Sequence, residues 1–271
     1  MEHYVVIITG ANSTFGIGWA TALELAKKQP QAIYVTDIQD ENLEMLVKKI
    51  QEEYKVKAFA RKVDASSEDD VQKVVEEAVS TFGRLDVFFA NAGAVIPGTL
   101  HNITRADFLK TMEINTWSVL AAIQHASLAM EKTSETKSSS GGSIIATASV
   151  AGVRSGAGPI SYSASKAAVI NIVQTSAWRL KGKNIRVNAI CPGIIETNMT
   201  KLVMDKMEEL SVNDEAKKST TPLERYGTSS EIASTVAFLA SPDASYINGQ
   251  DIKIDGGLTS AYRYLPIFAD C

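Results

Sequence analysis

Apolar and polar positions alternate between two textures along the chain. Short runs rich in β-branched residues occupy Tyr4–Thr9, Ala32–Asp37, Val56–Val63, Leu85–Phe89, Ser143–Ala146 and Ile185–Ile190. Each run gives way to a stretch whose apolar residues return every three or four positions. Strands that are apolar on consecutive positions are covered on both faces, so the pattern predicts an α/β fold with a doubly wound parallel sheet and helices on both sides. The clearest helix is Ser67 to Phe82, where Val71, Val74, Val75, Ala78, Val79 and Phe82 share one face. Ser67 and Asp70 have the spacing of a capping box at its start, and Gly83 ends it. Further helices are expected at Ile17–Lys28, Asp40–Tyr54, Asn115–Met130, Tyr162–Leu180 and Ser229–Leu239.

Two segments interrupt this rhythm. Lys132 to Ser143 is polar and rich in Ser and Gly, which predicts a flexible surface loop. Ile194 to Pro222 is long and mixed, with Leu202, Val203, Met204, Met207 and Leu210 spaced like one short helix. An excursion of that length inside a compact domain reads as a lid over a site, so the whole of 1–271 is expected to be a single domain carrying a lid-like segment at about 194–222.

Composition narrows the function classes. The 271 residues carry 27 Lys+Arg against 31 Asp+Glu, a net charge of −4, which gives no electrostatic footprint for nucleic acid or an anionic membrane. No stretch reaches the roughly 18 to 20 apolar residues of a membrane helix, and Gln124 and His125 break the richest one. The first residues enter the run Val5-Val6-Ile7-Ile8 directly, which reads as a strand and not as a signal peptide, so a cytoplasmic location is the default expectation. With two cysteines, Cys191 and Cys271, and three scattered histidines, neither a disulfide framework nor a zinc-ligand spacing is present, and no metal is expected.

Candidate chemistry begins after the first strand, at Thr9-Gly10-Ala11-Asn12-Ser13-Thr14-Phe15-Gly16-Ile17-Gly18. Glycines between a strand and a helix allow a tight turn and let backbone N–H groups reach a diphosphate at the positive end of the helix. Asp37 ends the second strand, where a carboxylate accepts the adenosine ribose hydroxyls and repels a 2′-phosphate; a turn or helix-capping role is the alternative. The next residue is Ile38 and the glycine turn contains no Lys or Arg, so NAD(H) is favoured and NADP(H) is the alternative. Farther on, Ser149 follows the fifth strand, and Tyr162 and Lys166 stand four apart, on one face of a helix. An ammonium beside a phenol favours the phenolate, lowering the tyrosine pKa and making Tyr162 usable as a general acid/base.

Taken in order, these marks resemble the short-chain dehydrogenase/reductase family. The glycine turn, Asp64 after the third strand, Ala90-Asn91-Ala92-Gly93, Asn115, Ser149 with Tyr162-Ser163-Ala164-Ser165-Lys166, Pro192-Gly193 with Thr197, and Asp255-Gly256-Gly257 run through almost the whole chain. The resemblance implies a Rossmann-type fold and hydride transfer between a dinucleotide and a small carbonyl or alcohol substrate. It implies that Tyr162 exchanges a proton with the substrate oxygen, that Lys166 lowers the tyrosine pKa and holds the nicotinamide ribose, that Ser149 positions the substrate, and that Asn115 holds a water of a proton relay. Cofactor contacts would come from Gly10, Asn12, Ser13, Gly16, Ile17 and Gly18, from Asp37, Ile38, Asp64 and Ala65, and from Asn91, Ala92 and Gly93. Tyr162, Lys166, Pro192, Gly193, Ile195 and Thr197 would complete them. It also implies a homodimer or homotetramer.

The sequence departs from the family pattern in three places. Five residues separate Gly10 from Gly16 where three are usual, so two are inserted around Ser13–Phe15. Ala90 replaces an asparagine, and the Ser-rich loop lengthens the path from Asn115 to Ser149 and is expected to bulge away from the site. Five-residue spacing is also found in the enoyl-reductase branch, but the distance from Tyr162 to Lys166 argues against that branch.

Val95, Ile96, Val153, Ala157, Ile194, Ile195, Leu202 and Met204 are expected to wall a mainly apolar substrate site. The leading reading is an NAD(H)-dependent oxidoreductase interconverting a secondary alcohol and a ketone. An NADP(H)-dependent carbonyl, sugar or 3-oxoacyl reductase of the same family is the first alternative, and a catalytically silent cofactor-binding regulatory protein the second. Cys191 reads as a small buried residue at a strand end, and the aromatic tail Tyr262–Phe268 packs either on its own domain or across a subunit contact.

Overall fold

A computed structural model describes residues 1–154, 157–201 and 221–260. Seven parallel strands form the central sheet: β1 (Val5–Thr9), β2 (Ala32–Asp37), β3 (Lys57–Lys62), β4 (Val87–Ala90), β5 (Gly142–Thr147), β6 (Ile185–Pro192) and, after a separate two-stranded ribbon, β9 (Asp251–Ile254). Their order across the sheet is β3-β2-β1-β4-β5-β6-β9. The chain moves outward from β1 to β3 and then returns past β1 to β4, so the crevice at the carboxyl ends of β1 and β4 lies where the winding reverses. The ribbon pairs β7 (Ile195–Glu196) with β8 (Gly227–Thr228).

Burial on both faces explains the unbroken apolar runs. Val5, Ile7, Tyr34, Phe88, Ile144 and Val187 point to one side of the sheet, against residues of α3 (Glu68–Phe82), α5 (Ser118–Glu131) and α6 (Ile160–Arg179). Their neighbours Val6, Ile8, Ile33, Val35, Phe89 and Ile145 point to the other side, against α1 (Ile17–Ala26), α2 (Leu43–Tyr54) and α7 (Ser229–Ala240). Fully burying one such side chain contributes about 1.5–3 kcal/mol.

Several elements differ from the pattern-based expectation. Ser67 accepts the Asp70 N–H at the start of α3, but the Asp70 carboxylate takes the Asp64 N–H instead, so the capping box is half made. The helix expected at Asn115 begins earlier: α4 (Arg105–Met112) runs through a π-helical turn, Glu113–Trp117, into α5. The polar surface of α4 hides it from an apolar-period reading, and Thr104 caps it by accepting the Asp107 N–H. Strand β9, with alternating Asp251 and Lys253, is too polar to register as an apolar run. Most of the lid-like excursion, including Leu202 and Met204, and the aromatic tail with Cys271 lie outside the described residues. Among the described residues no helix is long and apolar enough to cross a membrane.

The Ser-rich loop sits at the amino-terminal edge of the sheet, away from the crevice, and it is built around a buried lysine. Lys137, 7% exposed, donates to the carbonyls of Leu85, Met130 and Gly141 at 2.8–2.9 Å. Burial lowers its pKa. Beside it, Arg84 pairs with Asp86, whose carboxylate also accepts the Val5 N–H at 2.8 Å. Lys137→Ala strips three carbonyls of their donor and is expected to cost about 2–3 kcal/mol in urea unfolding, with the sheet otherwise intact.

Candidate active site

The glycine turn is shaped by close backbone packing. Gly10 has φ of 71°, and a Cβ on Gly18 would lie 2.3 Å from the Gly10 carbonyl oxygen, so only glycine lets α1 start this close to β1. The inserted residues make a tight turn closed by the Gly16 N–H on the Ser13 carbonyl at 2.8 Å. Phe15 stands in solvent while its carbonyl accepts the Ser229 hydroxyl at 2.7 Å, so the insertion swings outward. Gly10, Ser13, Gly16 and Ile17 remain on the wall of a cavity of about 270 Å³.

That cavity runs along the carboxyl ends of the strands. Asp37, Asn91, Ala92, Gly93, Pro192, Gly193, Ile195 and Thr197 all line it. The Asp37 carboxylate is oriented by the backbone N–H groups of Asn12 at 3.0 Å and Gln39 at 3.1 Å. Asn91 donates from Nδ2 to the carbonyls of Thr9 and Gly10 and accepts from Thr147 Oγ1, tying β1, β4 and β5 together beneath the cavity.

Other expected contact residues stand off the wall. Asn12 is buried as a brace, its side chain joined to Glu41 and to the Asn42 N–H. Gly18 serves packing, and Ile38 faces solvent. Asp64 turns its carboxylate to the Ser66 N–H and hydroxyl, and neither it nor Ala65 lines the cavity. Among the described residues of the expected apolar substrate wall, Ile195 lines it and Val95, Ile96, Val153, Ala157 and Ile194 do not, while Asn198, Met199 and Thr200 do. The turn after β7 brings these three in, and no periodicity in the sequence marks that turn.

Ser149, Tyr162 and Lys166 meet at the inner end of this cavity. Ser149 follows β5 and caps a short 3-10 turn, its hydroxyl accepting the Ala151 N–H at 3.1 Å. Tyr162 and Lys166 lie one turn apart on α6, with Lys166 Nζ 5.6 Å from the phenol ring centre and 2.7 Å from the Thr147 carbonyl it donates to. Burial lowers the Lys166 pKa to about 8. The expectation that this lysine depresses the phenol is corrected here: in the protein by itself burial raises the Tyr162 pKa, and a hydrogen bond with Ser149 pulls it down. The ammonium is turned to a carbonyl and loses its own charge near pH 8, so desolvation of the phenol prevails.

Asn115 is fully buried in the π-helical turn and stays off the cavity wall. Its side chain accepts the Ala94 N–H at 2.8 Å and donates to the Ala94 carbonyl and the Ser165 hydroxyl, pinning the chain after β4 to α6. Cys191 is buried at the end of β6, next to the Ser149 backbone N–H, and burial pushes its thiol up to about 11.

Two features fit a dinucleotide to this cavity. Gly10 leaves a bare backbone cradle on the cavity wall, where a Cβ would lie 2.9 Å from Ala92 and Asn91. Ser13 Oγ, in that cradle and on the cavity wall, is buried with no hydrogen-bond partner among the described residues.

The chain matches the family model described as Enoyl-(Acyl carrier protein) reductase over residues 10–259. The 3-oxoacyl-(acyl-carrier-protein) reductase FabG of Thermotoga maritima is 38% identical, over 95% of this chain and 98% of that protein. A solved levodione reductase superposes with a TM-score of 0.86 at 34% identity, over 96% of this chain and 98% of that one. L-sorbose reductase from Gluconobacter frateurii, solved with NADPH and L-sorbose, gives 0.85 at 26% identity over the same shares. This chain belongs to the short-chain dehydrogenase/reductase family. It is an oxidoreductase of that family, acting on carbonyl or CH–OH groups.

The depressed Lys166 pKa has a measurable sign. Between about pH 8 and 10.5 the unfolded chain keeps the lysine proton that the folded chain has lost, so stability rises with pH through that window, and below it this group, protonated in both states, gives no pH dependence. Urea unfolding at pH 7.5 and 9.5 is expected to show that increment in the wild type and not in Lys166→Met.

Proposed function

We propose that this chain is a ketone reductase, with Tyr162 as the proton donor. The observation that carries the reading is the convergence of Ser149, Tyr162 and Lys166 on the cavity that also contains the glycine cradle and Asp37. Its relatives are reductases, which favours the reductive direction and supports the carbonyl, sugar or 3-oxoacyl reductase reading better than a general alcohol dehydrogenase.

A dinucleotide held in this cavity would supply the hydride chemistry, with the carbonyl carbon as acceptor. Ser149 holds the substrate oxygen, and Tyr162 gives it the proton, so ketone becomes alcohol and the phenol becomes phenolate. The hydrogen bond with Ser149 favours that phenolate, and Lys166, on the same cavity wall with a pKa of about 8, exchanges its own proton near working pH. Asn115 keeps the α6 face in register with the chain after β4. Gly10, Ser13, Gly16 and Ile17 would receive the diphosphate, Asp37 the adenosine ribose, Asn91–Gly93 the middle of the cofactor, and Pro192–Thr197 the nicotinamide end. An apolar Met199 and Ile195 wall suits an uncharged ketone. The same reading carries a homo-oligomer in the cytoplasm, as its relatives' family suggests.

Asp37 supports NADH. A carboxylate about 4–5 Å from a 2′-phosphate would repel each unit of its charge by roughly 3–4 kcal/mol at an effective dielectric of 20. The second reading, NADPH, is supported by the NADPH complex of L-sorbose reductase. Parallel titrations decide between them: NADH is expected to give the higher kcat/KM, and Asp37→Ala to move the ratio toward NADPH at least about tenfold. A wild-type preference for NADPH would overturn the NADH assignment and leave the reductase reading standing. Tyr162→Phe is expected to keep its dinucleotide Kd and lose at least about 10²-fold in kcat. Undiminished turnover would remove Tyr162 from the chemistry, and no turnover in the wild type on any ketone would favour a silent cofactor-binding protein.

A further inference from the structure

At the edge where the strands begin, a second cavity of about 380 Å³ opens between the Ser-rich loop, the start of β6 and the end of α7. Its walls are polar, and Arg84, Lys137 and Arg186 stand in it. One carboxylate, Asp86, faces them and is held by Arg84 through two contacts of 2.8 Å. Lys137 donates to Met130 in the last turn of α5, and Arg186 to Leu239 in the last turn of α7, so each closes the carbonyl end of a helix. Such an end carries roughly half a negative charge. Among the described residues, three cations against one carboxylate and two half-charges leave about one positive charge without a counter-charge. Burial lowers the pKa of both Lys137 and Arg186, as befits cations stripped of water without a full opposite charge in return.

The donors identify which cations remain available. Lys137 has three N–H groups and spends them on Leu85, Met130 and Gly141. Each guanidinium has five: Arg84 uses three on Asp86 and Thr136, and Arg186 three on Leu239, Ser241 and Ile247. The exposed hydroxyls of Ser138 and Ser139 stand at the rim. The volume falls in the range of small-molecule sites, about 300–1,000 Å³.

We propose that this cavity binds a hydroxylated monocarboxylate, with its carboxylate toward Arg84 and Arg186 and its hydroxyl groups on the serine rim. The residual charge sets one negative charge on the ligand, and the polar rim sets its hydroxyls. The site is separate from the crevice, because the strands run between them.

Thermal unfolding of the full chain at constant ionic strength tests this, with gluconate as probe and acetate, sorbitol and chloride as controls. Gluconate is expected to raise the midpoint saturably, by roughly 2–3 °C at ten times its Kd, and more than any control. Ser139→Asp, which sets a carboxylate at the rim, is expected to fold as the wild type and to lose that rise; Ser138→Asp is the second variant should Ser139→Asp misfold. A gluconate shift no larger than that of chloride or sorbitol overturns the proposal, as does one that survives the rim substitution. Equal shifts with gluconate and acetate overturn the hydroxylated class of ligand.

Discussion

The approach of α1 to the end of β1 governs the rest of this molecule. Where Gly18 lies against the carbonyl of Gly10 there is no room for a β-carbon, and that distance sets how near the amino end of α1 stands to the strand ends. From that fixed point a chain of hydrogen bonds runs sideways. Asn91 clasps Thr9 and Gly10, and Thr147 clasps Asn91, so β1, β4 and β5 finish at one level. Ser149 then emerges beside the cavity because β5 stops there, and Lys166 reaches Thr147 because α6 passes above that same strand end. The reactive groups are thus placed by backbone packing, with few side-chain contacts of their own.

Two buried lysines show how one physical device serves two ends. Lys137 and Lys166 have both lost their water, both donate to main-chain carbonyls, and both have lowered pKa values. Lys137 gives away all three of its protons to carbonyls and becomes a strut. Lys166 gives one to Thr147 and turns toward a cavity that it shares with a phenol. What separates a structural ammonium from a chemically useful one here is the number of N–H groups left over, and not the depth of burial.

Much of this was legible in the sequence because its signals are local. Consecutive apolar residues such as Val5 to Ile8 announce a strand covered on both sides, and four-residue spacing puts Tyr162 and Lys166 on one face of a helix wherever that helix lies. What was hidden depends on partners far away in the chain. Lys137 reads as one more charge in a polar loop until β4 and α5 supply carbonyls around it. The Tyr162 pKa follows the total desolvation at the inner end of the cavity, which no spacing reveals. Asn12, Gly18 and Asp64 belong to the right motifs yet spend their atoms on bracing neighbours, and the polar strand β9 is recruited by the edge of β6.

The outward turn at Phe15 bears on how such loops lengthen. Two additional residues would ordinarily loosen a phosphate cradle, since a longer span samples more shapes, although the closure term grows only slowly with length. Here the Ser229 hydroxyl holds the crest of the turn from the first residue of α7, and the Gly16 N–H closes its neck. The enlargement is therefore staked down at two points, and its added freedom is spent before any ligand arrives. A single serine at the start of a distant helix is enough to let a cradle grow without becoming slack.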